Sequence, residues 1–142
     1  MTGNTLFYPL HLYTTGGEFI GDFGFEPPSW RQATRPERGE FVGPPGFDRL
    51  IRWRRSSTSL TRLGVLDDSL IVAVHAVHDP TAMDLWASKG TLMDIYALDG
   101  EKLWTDVPVP GRVLRVEDYV YMLESLPPDP WTVGVYRLNE AR

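Results

Sequence analysis

The 142-residue chain has no cysteine. That excludes disulfides, thiolate nucleophiles and cysteine-ligated zinc, but it does not fix the compartment. Lysine is nearly absent too: only Lys89 and Lys102 occur, and arginine supplies the rest of the basic charge. No apolar stretch approaches the roughly 20 residues of a membrane-spanning helix. The longest is "LIVAVHAV", residues 70–77. The opening "MTGNTLFYPL" lacks the basic start and apolar centre of a secretory signal. The expectation is a soluble chain, cytoplasmic by default, with no membrane partner. Also missing are a Walker loop, a Gly-x-Ser-x-Gly elbow, a His-Glu-x-x-His pair and a dinucleotide fingerprint. No stock catalytic phrase is present.

What the chain does contain is turn chemistry and alternation. Its 13 Gly and 12 Pro suit many short strands joined by turns. Hydrophobic residues make up 42% of it, enough for one domain with a real core. The net charge of −5 argues against nucleic acid as the partner. The charge is uneven. Residues 31–62 carry eight Arg against Glu37, Glu40 and Asp48, a local +5 that leaves −10 elsewhere.

Two phrases recur. "LYTTGGEFIG" (12–21) and "IYALDGEKLW" (95–104) both place an apolar residue, Tyr, two variable residues, a Gly turn and Glu in one order. "VYRLNEAR" (135–142) repeats the start of the phrase. Tyr96 and Tyr136 are 40 residues apart, and Tyr13 and Tyr96 are 83 apart, with Trp53 marking a degenerate middle copy. A second pair, "LGVLDDSLIVAVH" (63–75) and "VLRVEDYVYMLES" (113–125), gives strand, acidic turn and strand. In the second strand, apolar residues fall every two positions: Leu70, Val72 and Val74, against Val120 and Met122. That spacing predicts a strand with one buried face, and the acidic pairs predict hairpin turns.

One unit therefore reads as a four-stranded antiparallel meander of about 40 to 50 residues, the size that stacks radially in propellers. "VYMLES…VGVYRL" and "DIYALDGEKL" resemble the NHL-like, six-bladed β-propeller repeat. The resemblance implies an all-β fold of stacked blades, three to four of them in an incomplete ring. Residues 6–24 give a half blade, 25–59 a long loop or degenerate blade without strand or helical period, 60–107 a blade, and 112–142 an incomplete last blade. A second copy completing the ring is one expectation, and a fragment of a longer propeller protein is another.

Function should sit on the long loops of one face. The residues to test there are His75, His78, Asp79, Trp86, Lys89, Arg52, Trp53 and Arg54. His75, His78 and Asp79 offer nitrogen and oxygen ligands for a divalent metal. Against that stands a plain strand end before Pro80, because two His three apart on one strand point to opposite faces. Trp86 and Lys89 lie on a loop that either covers a pocket or tucks onto the sheet. The Arg52–Trp53–Arg54 stretch is either an anion-binding surface or an ion-pairing strand edge. The first functional expectation is a non-catalytic binding module for a protein, peptide or glycan, without a cofactor. The alternative is a metal-dependent propeller hydrolase or lyase with His75 and His78 as ligands.

Overall fold

The computed structural model describes residues 10–23, 26–79, 88–124 and 130–138. These form β1 (Leu10–Tyr13), β2 (Phe19–Phe23), α1 (Gly46–Arg55), β3 (Ser59–Leu66), β4 (Leu70–His78), β5 (Ser88–Ala97), β6 (Lys102–Val109), β7 (Arg112–Val116), β8 (Val120–Leu123) and β9 (Val133–Tyr136). The fold is mostly β, and every strand pairing is antiparallel. Three sheets run in chain order: β1-β2, β3-β4-β5-β6 and β7-β8-β9. No helix of the described residues is long and apolar enough to cross a membrane.

The four-stranded sheet is covered on both faces, which explains why β4 is buried from Ile71 to Ala76. On one face Leu66, Val72, Val74, Met93 and Ile95 meet Val113, Val120 and Met122 of the three-stranded sheet. On the other, Leu60, Ile71, Ala73 and Tyr96 meet Leu10 and Trp30. Burying each large apolar side chain here contributes about 1.5–3 kcal/mol. The two sheets approach closely at Gly64, where an added Cβ would lie 2.7 Å from Val116 Cβ and 2.9 Å from its carbonyl oxygen.

The acidic turns close two hairpins in the same register: Leu66 pairs Leu70, and Val116 pairs Val120. Asp67 and Asp68 take φ of 50° and 51°, the left-handed region that Asp tolerates, and Ser69 N–H donates to Leu66 C=O at 3.1 Å. The turns touch through Asp67 N–H and Glu117 C=O at 3.2 Å. The tyrosines are another matter. Tyr96 pairs Ile71, the second residue of β4, whereas Tyr136 pairs Val120, the first of β8. An offset of one residue reverses the face. Tyr96 is fully buried beside Trp30 and Ala73, and Tyr136 packs on the opposite, inter-sheet core. Their 40-residue spacing is therefore not a positional equivalence.

The expected loop over 25–59 contains a ten-residue helix. Phe47, Leu50, Ile51 and Arg54 follow helical spacing, with Asp48 in the first turn and Arg52, Arg54 and Arg55 in the last. Those charges complement the helix dipole. Arg52, Trp53 and Arg54 thus end a helix and form no strand edge.

Candidate metal centre

β4 and β5 lie side by side in the middle of the sheet, so an apolar side chain is expected at every position. His75 and Asp94 break that rule. Both are wholly buried, on the face that also carries Ile71, Ala73 and Tyr96. A third residue is brought in by a distortion. The β5–β6 register shifts between Met93 and Ile95, and Asp106, on the bulged side, takes φ 54°. A bulge of this kind re-aims a side chain. Asp106 N–H donates to Asp94 Oδ1 at 2.9 Å, locking the bulge to β5.

The fourth member arrives from the segment before α1. Ser29 N–H donates to Asp106 Oδ2 at 2.9 Å, and its hydroxyl donates to Asp106 Oδ1. That hydroxyl has a single proton. It therefore accepts from His75 Nε2–H, 2.9 Å away. Asp106 Oδ1 is also 3.3 Å from His75 Nε2. Trp30 packs edge-on against the imidazole, with centroids 5.8 Å apart and planes at 71°. Thr58 anchors the segment, accepting from Arg31 N–H at 2.9 Å and donating to Arg31 C=O through its own N–H at 2.9 Å.

The opposite edge of the ring is where the network fails to close. His75 Nδ1 and Asp94 Oδ2 are 2.9 Å apart, yet the contact falls outside hydrogen-bond geometry and neither atom has a hydrogen-bond partner. In the neutral tautomer that carries its proton on Nε2, Nδ1 and Asp94 Oδ2 face each other as two electron-rich atoms inside the protein. Buried polar atoms are normally satisfied, so each exception calls for a physical explanation, and a bound ion is one. One donor atom from each of His75, Asp94 and Asp106 lies within 4.8 Å of the others. Metal–ligand bonds of about 2.0–2.2 Å separate neighbouring donors by roughly 3 Å, so this set needs little movement to close on an ion.

Only His75 of the expected ligands belongs to this group. His78 is buried elsewhere: its Nε2 is 2.6 Å from Ser59 Oγ, and its carbonyl accepts from Arg31 Nη2 at 3.0 Å. A bulge between Val77 and His78 removes the simple alternation on which the opposite-face argument depended. Asp79 follows the strand end, half-buried and outside the group. Trp86 lies outside the described residues, and Lys89 is the second residue of β5, not part of a loop. In α1, Arg52 is exposed. Trp53 Nε1–H donates to Thr34 C=O at 2.7 Å, and its ring meets Phe41 at 5.6 Å. Arg54 is half-buried, and that burial lowers its pKa from the ordinary arginine value. A separate cleft of about 260 Å³ is lined by Leu66, Asp67, Ser69, Leu70, Asp118, Arg137 and Leu138. It shares no residue with the His75 group.

Sequence reasoning missed Ser29, Asp94 and Asp106. Asp94 did leave a signal: "LMDIY" puts a charge inside an apolar strand. Compared with known proteins, the chain matches no family model, no curated protein and no solved structure.

Proposed function

We propose that the chain binds a divalent transition-metal ion through His75, Asp94 and Asp106. One observation carries this reading: two fully buried donor atoms, His75 Nδ1 and Asp94 Oδ2, face each other at 2.9 Å without a hydrogen bond. One imidazole with two carboxylates suits zinc, manganese or ferrous iron. Asp106 is 23% exposed whereas the other two are closed off, so the centre opens towards solvent on one side only. A bound ion would supply Lewis acidity there, the chemistry of metal-dependent hydrolases and lyases. Ser29 holds Asp106 and His75 in place as a positioning residue, since its donors and acceptor are already engaged.

The test is metal retention. Purified full-length protein, stripped with chelator and reloaded with Zn²⁺ or Mn²⁺, should keep about one ion after dialysis. Saturation at 100-fold over Kd should stabilise it by about 2.7 kcal/mol. His75→Ala and Asp94→Asn should abolish both effects. Wild-type protein that retains neither ion, and whose melting temperature ignores both, sinks the proposal.

For the architecture, we infer that the two meanders are neighbouring blades of a propeller-like stack. The support is threefold. Strands follow chain order in each sheet, the sheets share one core, and the first strands β3 and β7 lie together through Arg62 Nε–H donating to Leu114 C=O at 3.0 Å. A second functional reading, a binding module without chemistry, is favoured by the apolar surface of the last sheet, where Trp131, Val133 and Val135 are at least half exposed. In that reading the His75 cluster only rivets the 26–34 segment to the sheet. Metal analysis separates the two.

A further inference from the structure

The last residue of α1 is a buried arginine with one edge of its guanidinium unengaged. Arg55 is 6% exposed, and its Nε and Nη2 atoms are buried without a hydrogen-bond partner. Among the described residues no carboxylate forms an ion pair with it. A guanidinium stays charged throughout the accessible pH range. An unpaired buried charge is among the most destabilising arrangements a fold can contain. Helix polarity offers partial relief, since the C-terminal end of α1 carries about half a negative charge. No carbonyl of that end accepts from Arg55 Nε or Nη2, however. The carbonyls of Arg52 and Trp53 already accept from Ser56 N–H at 3.1 and 3.2 Å, and Trp53 C=O also accepts from Ser56 Oγ–H at 2.6 Å.

The identity of the two idle atoms matters. Nε–H and Nη2–H point the same way along one edge of the planar fork. That edge presents two parallel donors at the spacing of two oxygens on one carbon or phosphorus. The chain that follows is polar and enclosed: Ser57, Thr58 and Ser59 are at most 1% exposed. Their hydroxyls are already used, by Arg54 C=O, by Arg31 N–H and by the His78 ring. They are neutral groups, and none of them hydrogen-bonds Arg55 Nε or Nη2.

We propose that Arg55 is the anchor of a binding site for a small oxyanion, phosphate or carboxylate, seated on its Nε–Nη2 edge. The site is independent of the metal centre: it shares no residue with the His75 group and stands if that group binds no ion. The ligand is small, because the edge is buried, and it is held by two parallel charge-assisted bonds, so chloride is a poor substitute.

The experiment uses the full chain at constant ionic strength, with chloride replaced stepwise by inorganic phosphate or, in a second arm, by acetate. The readouts are the NMR signal of the Arg55 Nε–H and the melting temperature. At least one oxyanion should move the Nε–H signal along a saturable curve and raise the melting temperature. A phosphate response without an acetate response assigns a tetrahedral ligand, and the reverse assigns a carboxylate. Arg55→Met should melt at or above wild type in chloride, because the unpaired charge is gone, and should not respond to either anion. Arg55→Lys keeps the charge but loses the paired donors, and should bind roughly ten-fold more weakly. The proposal is overturned if neither anion moves the wild-type signal, or if Arg55→Lys responds as strongly as wild type. The wild-type measurement decides the matter even if Arg55→Met fails to fold.

Discussion

The two faces of β4 and β5 are built from the same two strands and obey different rules. On the inter-sheet face Val72, Val74, Met93 and Ile95 are apolar without exception and pack against another apolar surface. On the opposite face Ile71, Ala73 and Tyr96 begin in the same way, and then His75 and Asp94 appear, equally buried. Area burial accounts for the first face. It cannot account for the second, where two groups with large desolvation costs are kept. A face that stabilises by burial alone tolerates no charge. A face that keeps a charge in the dark needs something to pair with it: hydrogen bonds for His75 Nε2, and on our reading an ion for Nδ1.

The comparison can be broken most severely at Val74. Val74→Asp places a lone carboxylate in the apolar face, where no partner waits. It should cost at least about 4 kcal/mol, enough to remove the cooperative transition in urea. If the protein folds normally, that face is less sealed than its burial indicates. A smaller effect is expected where β3 approaches β7 at Gly64. Gly64→Ala forces a Cβ onto the Val116 side chain and carbonyl and should lower stability by about 1–3 kcal/mol. Combined with Val116→Ala, it should lose part of that penalty in a double-mutant cycle. Additive losses would mean that the close approach is not shared. The smallest change sharpens the turn between the strands. Asp68 sits at φ 51°, so Asp68→Gly relieves a left-handed residue and should shift stability by no more than about 1 kcal/mol, upwards, in thermal melts. A large loss would reveal a role for that carboxylate beyond the turn.

Much of the apolar side of this comparison was legible in the residues. Alternation at Leu70, Val72 and Val74, repeated at Val120 and Met122, follows from the two-residue period of a strand. The acidic pairs are read by turn chemistry, and together they gave antiparallel meanders. The helix at 46–55 was hidden by its own composition. Its helical positions mix Phe47, Leu50 and Ile51 with Arg54, so the stripe looks polar, and Phe47 stays mostly exposed. The candidate centre was one-quarter legible. His75 stood out because imidazole is rare in such a run. Asp94 stood in an apolar run, unweighed. Asp106 could not be found, since its direction depends on a bulge that no local pattern announces, and Ser29 comes from a segment 46 residues before His75. Tyr96 and Tyr136 teach the opposite caution: equal spacing in the chain survived, and equal facing did not.

The β1–β2 hairpin has a consequence of its own. It docks on the central sheet through Leu10, while Tyr13, Phe19 and Ile20 remain more than half exposed. An isolated two-stranded hairpin is marginal in water. Its backbone amides should therefore trade hydrogens with solvent through local openings that leave the larger sheets intact. The chain then has two melting economies, a latch that lifts readily and a slab that yields only when everything does, with Trp30 on the seam between them.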